Sequence, residues 1–374
     1  MVGPAAKSTP APTVAVSGPG IHYGRMPDLP PALARVLRGG RVESRHRGEA
    51  AIVAEDGRRL GAAGQGSSLV FLRSAAKPFQ ALPLLENGGA ERFRLTAADI
   101  ALICSSHGGE PRHVRGVVRL LDRGGFRASD LVCGPHPPMH EPSARALTAR
   151  GERPSRLHNN CSGKHAGLLL ACRLLGLPAK GYWKESHPLQ LRIRRRLAEL
   201  GSFPEGRIDS AIDGCGLVVF RLSLDALALA YARLLARRLP AETFAECRAR
   251  GLVVRAMQER PEMVAGTRFF TTDFLRAGGK RWIGKEGAEG VYAVGLRASA
   301  AGGLAAGIAL KIEDGSARAR PTVTIAILRA MGWLPRSVQR ALAEYESVPI
   351  ENTTGAVVGS IEPELPIIRP DAAG

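Results

Sequence analysis

The sequence predicts a mixed α/β (α+β) fold: a sheet flanked by helices, with a helical insertion in its middle. Three observations carry this reading. Short strand-like runs occur between Val42 and Leu72. Helical patterns dominate from about His113 to Arg260. Glycine-punctuated strand patterns return between Lys280 and Ile312. Strands at both ends with helices between them imply a sheet assembled from both termini.

Taken in order, the chain opens on MVGPAAKSTPAPTVAVSGPG. Residues 1–20 lack the leucine-rich segment of a secretory signal, and their Pro, Ala, Ser and Gly content reads as a disordered lead-in. Residues 21–359 form one folded unit with a helical middle at about 113–260, and 360–374 read as an extended tail. From Val42 to Leu72, two strand-like runs flank the turn DGRR, which is a hairpin pattern. A helix follows from Ser74 to about Glu86 and closes at Asn87-Gly88-Gly89. Thr96 and Asp99 have the spacing of a capping box ahead of an apolar run. HAGLLLACRLLGL, Asp225–Arg238 and Ala241–Arg260 read as helices. KRWIGKEGAEGVYAVGL and GIALKIED read as strands, before a last helix near Pro321–Met331.

Composition narrows the function classes. The net charge of +18 raises nucleic-acid binding as a question. The charge is spread along the chain, however, and aromatic content of 5% leaves few stacking platforms. The densest run, LRIRRRLAEL, interleaves leucines at helical spacing, which is the mark of a solvated helix face. An acidic substrate or product fits the same charge. Six cysteines are too sparse for a disulfide framework in 374 residues. No apolar run reaches the ~18 residues of a membrane span. A cytoplasmic protein is the expectation.

Lysine usage marks the chemistry. Of 52 Lys and Arg residues only eight are lysines, so lysine is written where arginine will not serve. In LRSAAKPFQ, Pro78 fits a helix only in its first turn, which places Ser74 at the helix start and Lys77 three residues on along the same face. Serine is a weak nucleophile until its proton is removed. Lysine can take that proton once its pKa falls, whereas arginine cannot. Alone, S-x-x-K also describes a surface lysine beside a helix cap. CSSHGGE (Cys104–Glu110) ends an apolar segment in Ser105, Ser106 and His107, as a second hydroxyl, a proton carrier or merely a helix C-cap. HNNCSGKHAG sets Cys161, Lys164 and His165 on a polar turn before a helix, and lacks the pattern of a phosphate loop. IDGCG puts Asp213 and Cys215 on a tight turn. Cys161 and Cys215 are soft metal ligands or two ordinary buried thiols. HPPMH reads as a loop, and GKEGAEG sets Lys285 in a glycine-flanked turn or hairpin.

RSAAKPFQA, CSSHGGE, HNNCSGKHAG, DGCG and GKEGAEGVYAVG, in that order, resemble the Rhizobium-type (class 3) asparaginases, the asparaginase II family. The likeness runs from about Gly39 to Gly359 and includes the closing NTTGAVVG. It implies an amidohydrolase that converts L-asparagine to L-aspartate and ammonia, on a fold similar to the glutaminase and serine β-lactamase group, and a homodimer. It implies that Ser74 and Lys77 form one Ser–Lys pair with Ser74 as nucleophile, and that Ser106 and Lys285 form a second. Cys161, Lys164 and Cys215 match the family's zinc ligands, with Asp213, Arg73 and His165 lining the substrate site. Backbone N–H groups after Ser74 are the expected oxyanion donors. Two departures stand out: LVVF follows DGCG where a proline is usual, and GTRFFTTD has Thr271 where the family usually carries an acidic residue. Competing readings are a hydrolase of another small amide, such as L-glutamine or a β-lactam-like acyl substrate, and a non-enzymatic basic protein that binds polyanions.

Overall fold

A computed structural model describes residues 29–367. The expected lead-in of residues 1–20 lies outside them. Eleven strands form two sheets: β1 (Ala32–Arg38), β2 (Arg41–Ala54), β3 (Arg59–Ala63), β4 (Leu69–Phe71), β5 (Asp209–Ile212), β6 (Val218–Ser223), β7 (Trp282–Glu286), β8 (Val291–Leu296), β9 (Ala306–Ile312), β10 (Val348–Glu351) and β11 (Val357–Pro363). The large sheet has the order β10-β11-β1-β2-β9-β8-β7, with β3 also pairing β2. Every pairing in it is antiparallel. Strands from both ends of the chain build this sheet, and the helices lie mainly in the sequence between them.

Four local expectations are corrected. The run LGAAGQGSSLVFL is not one strand, because Gly64 and Gly66 both take left-handed φ angles (+67° and +68°) and send β3 and β4 into different sheets. The segment Ser74–Glu86 is a 3₁₀ turn (Arg73–Ala76) followed by two short helices, Lys77–Gln80 and Leu82–Glu86, each with a proline in its first turn. Residues from 360 begin as the end of β11, which pairs with β1; residues beyond 367 lie outside the described part. The helical middle also holds β5 and β6, which join β4 in a three-stranded sheet. The capping box at Thr96 and Asp99 is present as read.

Two apolar clusters fill the structure. One lies around Val323, Ile325, Leu328 and Trp333; the other, larger one surrounds the helix Leu224–Leu235 and the central helices. The helix Leu224–Leu235 packs on β8 and β9 at unusually short range. A Cβ on Gly307 would lie 1.8 Å from the Ala228 carbonyl, and one on Gly295 would lie 2.6 Å from that of Tyr231. These two glycines face one another across β8 and β9 and leave the helix its seat. Tyr231, on that helix, then donates its hydroxyl to the Ala75 carbonyl at 2.8 Å. That bond anchors the 3₁₀ turn carrying Ser74 to the main core.

Candidate active site

The residues singled out in the sequence come from five separate segments, and packing brings most of them to one place. The chain leaves β4 and turns sharply: Arg73 has φ +48°, a left-handed conformation that costs a non-glycine residue about 1–3 kcal/mol. Two ion-pair contacts hold Arg73 there. Its Nε and Nη2 each lie 2.9 Å from Asp213 Oδ1. Asp213 begins the hairpin turn between β5 and β6, closed by its own N–H donating to Leu217 O at 2.8 Å. Ser74 and the Cys215 loop are therefore tied together through Arg73 and Asp213.

Ser74 is half-buried, whereas Lys77 is 1% exposed. The two share a turn, with the Lys77 backbone N–H donating to Ser74 O. The Lys77 amine points inward: Nζ donates to Ser105 O at 2.6 Å and to Ser106 Oγ at 3.0 Å. Among the described residues no side-chain hydrogen bond joins Lys77 to Ser74. Ala75 N–H donates to Leu72 O, so that group and the Lys77 N–H are already engaged and do not serve as oxyanion donors.

Ser106 follows the helix Ala97–Ile103, and its N–H donates to Val264 O at 3.0 Å. Its hydroxyl oxygen is shared by two amines, Lys77 at 3.0 Å and Lys285 at 2.8 Å. Lys285 lies within β7, not in a turn, and is fully buried. Burial pushes the Lys285 amine down to about 8, with the charge of Lys77 acting in the same direction and that of Glu286 against it. A hydroxyl between two amines accepts from a charged one and donates to a neutral one, and Lys285 takes either form around pH 8. Ser106 thus sits where a proton can pass between Lys77 and Lys285.

Ser105 and His107 do not take part. Ser105 Oγ donates to Leu102 O. His107 accepts the Gly109 N–H at Nδ1 and faces Ser162 Oγ with Nε2 at 2.9 Å. Burial and the neighbouring His113 hold it neutral, so it fastens the CSSHGGE loop to the helix Ser162–Leu174.

The third group adjoins the second. Lys164 Nζ lies 3.0 Å from Cys215 Sγ. Cys161 is held well below the usual thiol range, first by the Cys215 thiol donating to it and then by the charges of Lys77 and Lys164. The same pairing pushes Cys215 up, so one thiolate is shared by the pair. Burial alone would lower Lys164; the two thiols reverse that and keep it an ammonium. The close approach depends on Gly163, where a Cβ would stand 2.3 Å from Leu102 O, and on Gly167, where it would stand 2.5 Å from Ile103 Cγ2. His165 is buried, holds Tyr182 OH at 2.9 Å through Nδ1 and leaves Nε2 without a partner. Burial keeps it neutral.

Among the described residues no three His, Cys, Asp or Glu side chains gather to hold a metal ion. The donor set here is two thiols and a lysine, and it suits a soft cation once the lysine gives up its proton. The Lys164 ammonium already bonds to one thiol of the pair, where a cation would be balanced by the shared thiolate. HPPMH is a loop, as read. Glu286, Thr271 and Tyr182 were not among the site residues read from the sequence, although Glu286 sits inside the quoted GKEGAEG. A surface cavity of about 760 Å³ lies elsewhere, lined by Arg196, Arg233, Glu199 and Glu246 among others, and includes none of the serines or thiols. No helix among the described residues is long and apolar enough to cross a membrane.

Comparison with known proteins agrees with this arrangement in one respect that decides the family. Residues 34–363 match the family model described as L-asparaginase II. No curated protein matches the sequence. Among solved structures, Mglu in its native form is similar at 15% identity, with 80% of this chain and 64% of that chain covered and a TM-score of 0.41. Mglu in its L-glutamate binding form is similar at 14% identity, with 81% and 64% covered and a TM-score of 0.36. A β-lactamase from Mycobacterium bovis is similar at 16% identity, with 76% and 94% covered and a TM-score of 0.38. The chain spans a little under two thirds of the Mglu chain. Every segment that contributes to the serine, lysine and cysteine cluster falls inside the matched span, and the chain belongs to the L-asparaginase II family.

Proposed function

We propose that this protein hydrolyses L-asparagine to L-aspartate and ammonia, with Ser74 as nucleophile and Lys77, Ser106 and Lys285 as its proton relay. The observation that carries the reading is the Ser106 hydroxyl held between two buried lysine amines at 3.0 and 2.8 Å. Two buried amines on one hydroxyl cost folding energy and have no structural need that a neutral side chain would not meet.

Ser74 Oγ bonds to the carboxamide carbon and its proton passes to the lysine network. The developing oxyanion is balanced by the remaining ammonium charge. The C–N bond then breaks, and a proton returned from the network leaves with ammonia. Water next adds to the acyl ester, giving its proton to the same network, and Ser74 recovers a proton as aspartate departs. Arg73 and Asp213, one residue from Ser74 and two from Cys215 and paired with each other, would orient the substrate's charged ends. His165, whose buried Nε2 has no partner, would line the substrate site as well.

Cys161, Lys164 and Cys215 would hold zinc. Zinc supplies Lewis-acid polarisation or a fixed positive charge when bound. The chain's own contribution is to hold the Cys161 thiol beside Lys77, so that the metal-binding and serine halves share one lysine. The reading extends to a homodimer in the cytoplasm.

The test is ammonia release from purified protein given L-asparagine, L-glutamine or buffer alone. Release with L-asparagine that disappears in Ser74→Ala supports the reading. Equal release by the Ser74→Ala protein removes Ser74 as nucleophile, and preference for L-glutamine changes the substrate.

A further inference from the structure

We propose that Glu286, steered by the Thr271 hydroxyl, is a positioning residue that holds the Lys285 amine on Ser106 and keeps it able to give a proton as well as take one. The proposal rests on the reading of the reaction above.

Neighbouring residues in a strand project to opposite faces. Lys285 and Glu286 are neighbours in β7, yet Lys285 Nζ donates to Glu286 Oε1 at 2.6 Å and to Glu286 O at 3.1 Å. Glu286 is the final residue of the strand, and Gly287 turns the chain immediately after it, with its N–H donating to Val291 O. The turn lets the carboxylate curl back toward the amine. Its other oxygen accepts from Thr271 Oγ1, and Thr271 is itself 3% exposed with the Tyr292 hydroxyl 3.3 Å away. The chain of contacts therefore runs Thr271, Glu286, Lys285, Ser106. The carboxylate lies at the edge of the buried site, its side chain 20% exposed, with one oxygen on the fully buried Lys285 amine and the other on Thr271.

Consider the amine without this partner. Burial and the positive charge of Lys77 both favour its neutral form. A permanently neutral Lys285 accepts a proton but has none to return to departing ammonia. Glu286 opposes burial and brings the amine to about 8, where both forms are accessible near neutral pH. The groups facing Lys285 are Glu286 on its own strand, Lys77 from the helix after the Ser74 turn, and the Cys161 and Cys104 thiols. Those facing Glu286 are Lys285, Thr271, Arg320, and the hydroxyls of Tyr292 and Tyr231. Burial would raise Glu286; Lys285 and Thr271 outweigh it and keep it ionised.

The experiment follows the amine itself. With eight lysines in the chain, the ¹³Cε signals of ¹³C-lysine-labelled protein are few, and Lys285→Arg assigns the one required. The signal is titrated in the unaltered protein and in Glu286→Gln, Glu286→Asp and Thr271→Val, alongside the pH profile of ammonia release. The expected midpoint near 8 falls by about one pH unit or more in Glu286→Gln, is restored in Glu286→Asp, and the acidic limb of the rate profile moves with it. If Glu286→Gln does not fold, Thr271→Val, which keeps the charge and removes its guide, takes its place and lowers the midpoint by less. An unmoved midpoint overturns the proposal, as does a moved midpoint with an unmoved rate profile. Absence of ammonia release by the unaltered protein sinks the reading of the reaction instead, which the titration distinguishes because it needs no turnover.

Discussion

Lys285 Nζ and Ser106 Oγ lie 2.8 Å apart across 179 residues of sequence. The bond crosses from β7, the first strand of the Lys280–Ile312 segment, to the loop that follows the helix Ala97–Ile103. It makes the site a product of the whole fold, because neither segment alone brings a hydroxyl to an amine.

Ser106→Ala is the direct consequence. Loss of a proton relay typically lowers rates by about 10²–10⁴-fold, so turnover falls by that order while substrate affinity changes little. The two amines also lose a shared acceptor inside the protein, which costs roughly 1–3 kcal/mol of stability. Steady-state kinetics and thermal unfolding on the same preparation check both. A variant with unchanged turnover removes Ser106 from the relay.

The pH dependence follows from Lys285. The amine acts as a base only when neutral, and burial places it at about 8, so activity rises with pH around that value and flattens above it. Stability carries the same signature. Between about 8 and the ordinary lysine value near 10.4 the unfolded chain binds more protons than the folded one, so this group's contribution to stability grows as pH rises through that window and is missing below it. Lys285→Met removes the titrating amine, so this rise of stability with pH between about 8 and 10.4 disappears along with activity. A rate profile flat from pH 6 to 10 would contradict the assignment.

Some of this was legible in the sequence and some was not, for definable reasons. The capping box at Thr96 and Asp99 is a local pattern with a local cause, and it is present. The spacing of Ser74 and Lys77 invites a shared helical face, yet that rule presumes a regular α-helix. Arg73 in a left-handed conformation and the 3₁₀ turn after it rotate Lys77 inward, toward a serine the local rule cannot see. The glycines flanking Lys285 leave a turn or a hairpin open in the sequence, and Lys285 lies on the first arm of the β7–β8 hairpin. Gly284 is required for a different reason: a Cβ there would stand 2.8 Å from Phe274 and from the Tyr292 hydroxyl, so its smallness serves packing inside a strand. Strand β1 joins β2 through the tight Gly39-Gly40 turn, a local hairpin signal, whereas its other edge pairs with the distant β11, which leaves no mark in a local window.

Zinc content tests the cysteine half. Freshly purified protein is expected to contain close to one zinc per chain by elemental analysis, and Cys161→Ser or Cys215→Ser to lose most of it. Because a metal that binds only the folded state stabilises it, removal by a chelator lowers the unfolding temperature of the unaltered protein and leaves the serine variants unaffected. Metal-free protein with full activity and no response to chelator would show that these thiols serve packing alone.

Asp213→Asn probes the link between the two halves. Asp213 holds Arg73 in its strained conformation and shapes the Cys215 turn, with the pair's side chains 24% and 16% exposed. Loss of a half-buried ion pair of this kind costs about 1 kcal/mol in stability, discounted for its solvent access. The effect on function is expected to be larger than that on stability, since Ser74 follows Arg73 directly. A rise in KM of tenfold or more, with a melting temperature only a few degrees lower, is the expected pattern. A variant that loses stability without any change in KM or kcat would make the ion pair a structural tie only.

Gly163→Ala and Gly251→Ala separate packing of the site from ordinary helix propensity. Both glycines lie inside helices, Ser162–Leu174 and Phe244–Glu259. A methyl group at 251 meets nothing within 4 Å, so this substitution gains helix propensity and stabilises by about 0.5–1 kcal/mol. At 163 the same methyl would stand 2.3 Å from the Leu102 carbonyl, and backbone cannot swing aside as a side chain does. The helix Ser162–Leu174, which carries Lys164 and His165 and starts at Cys161, must then move off the helix Ala97–Ile103 that leads into Ser105 and Ser106. Overpacking of this kind costs about 1–3 kcal/mol or more, and the displacement also parts Lys77 from one of its two sides. Opposite shifts in unfolding temperature for the two variants, with turnover lost only at 163, are the expected result. Equal stabilisation by both would mean that the two helices do not pack as closely as described, and the serine and cysteine groups would no longer be held as one site.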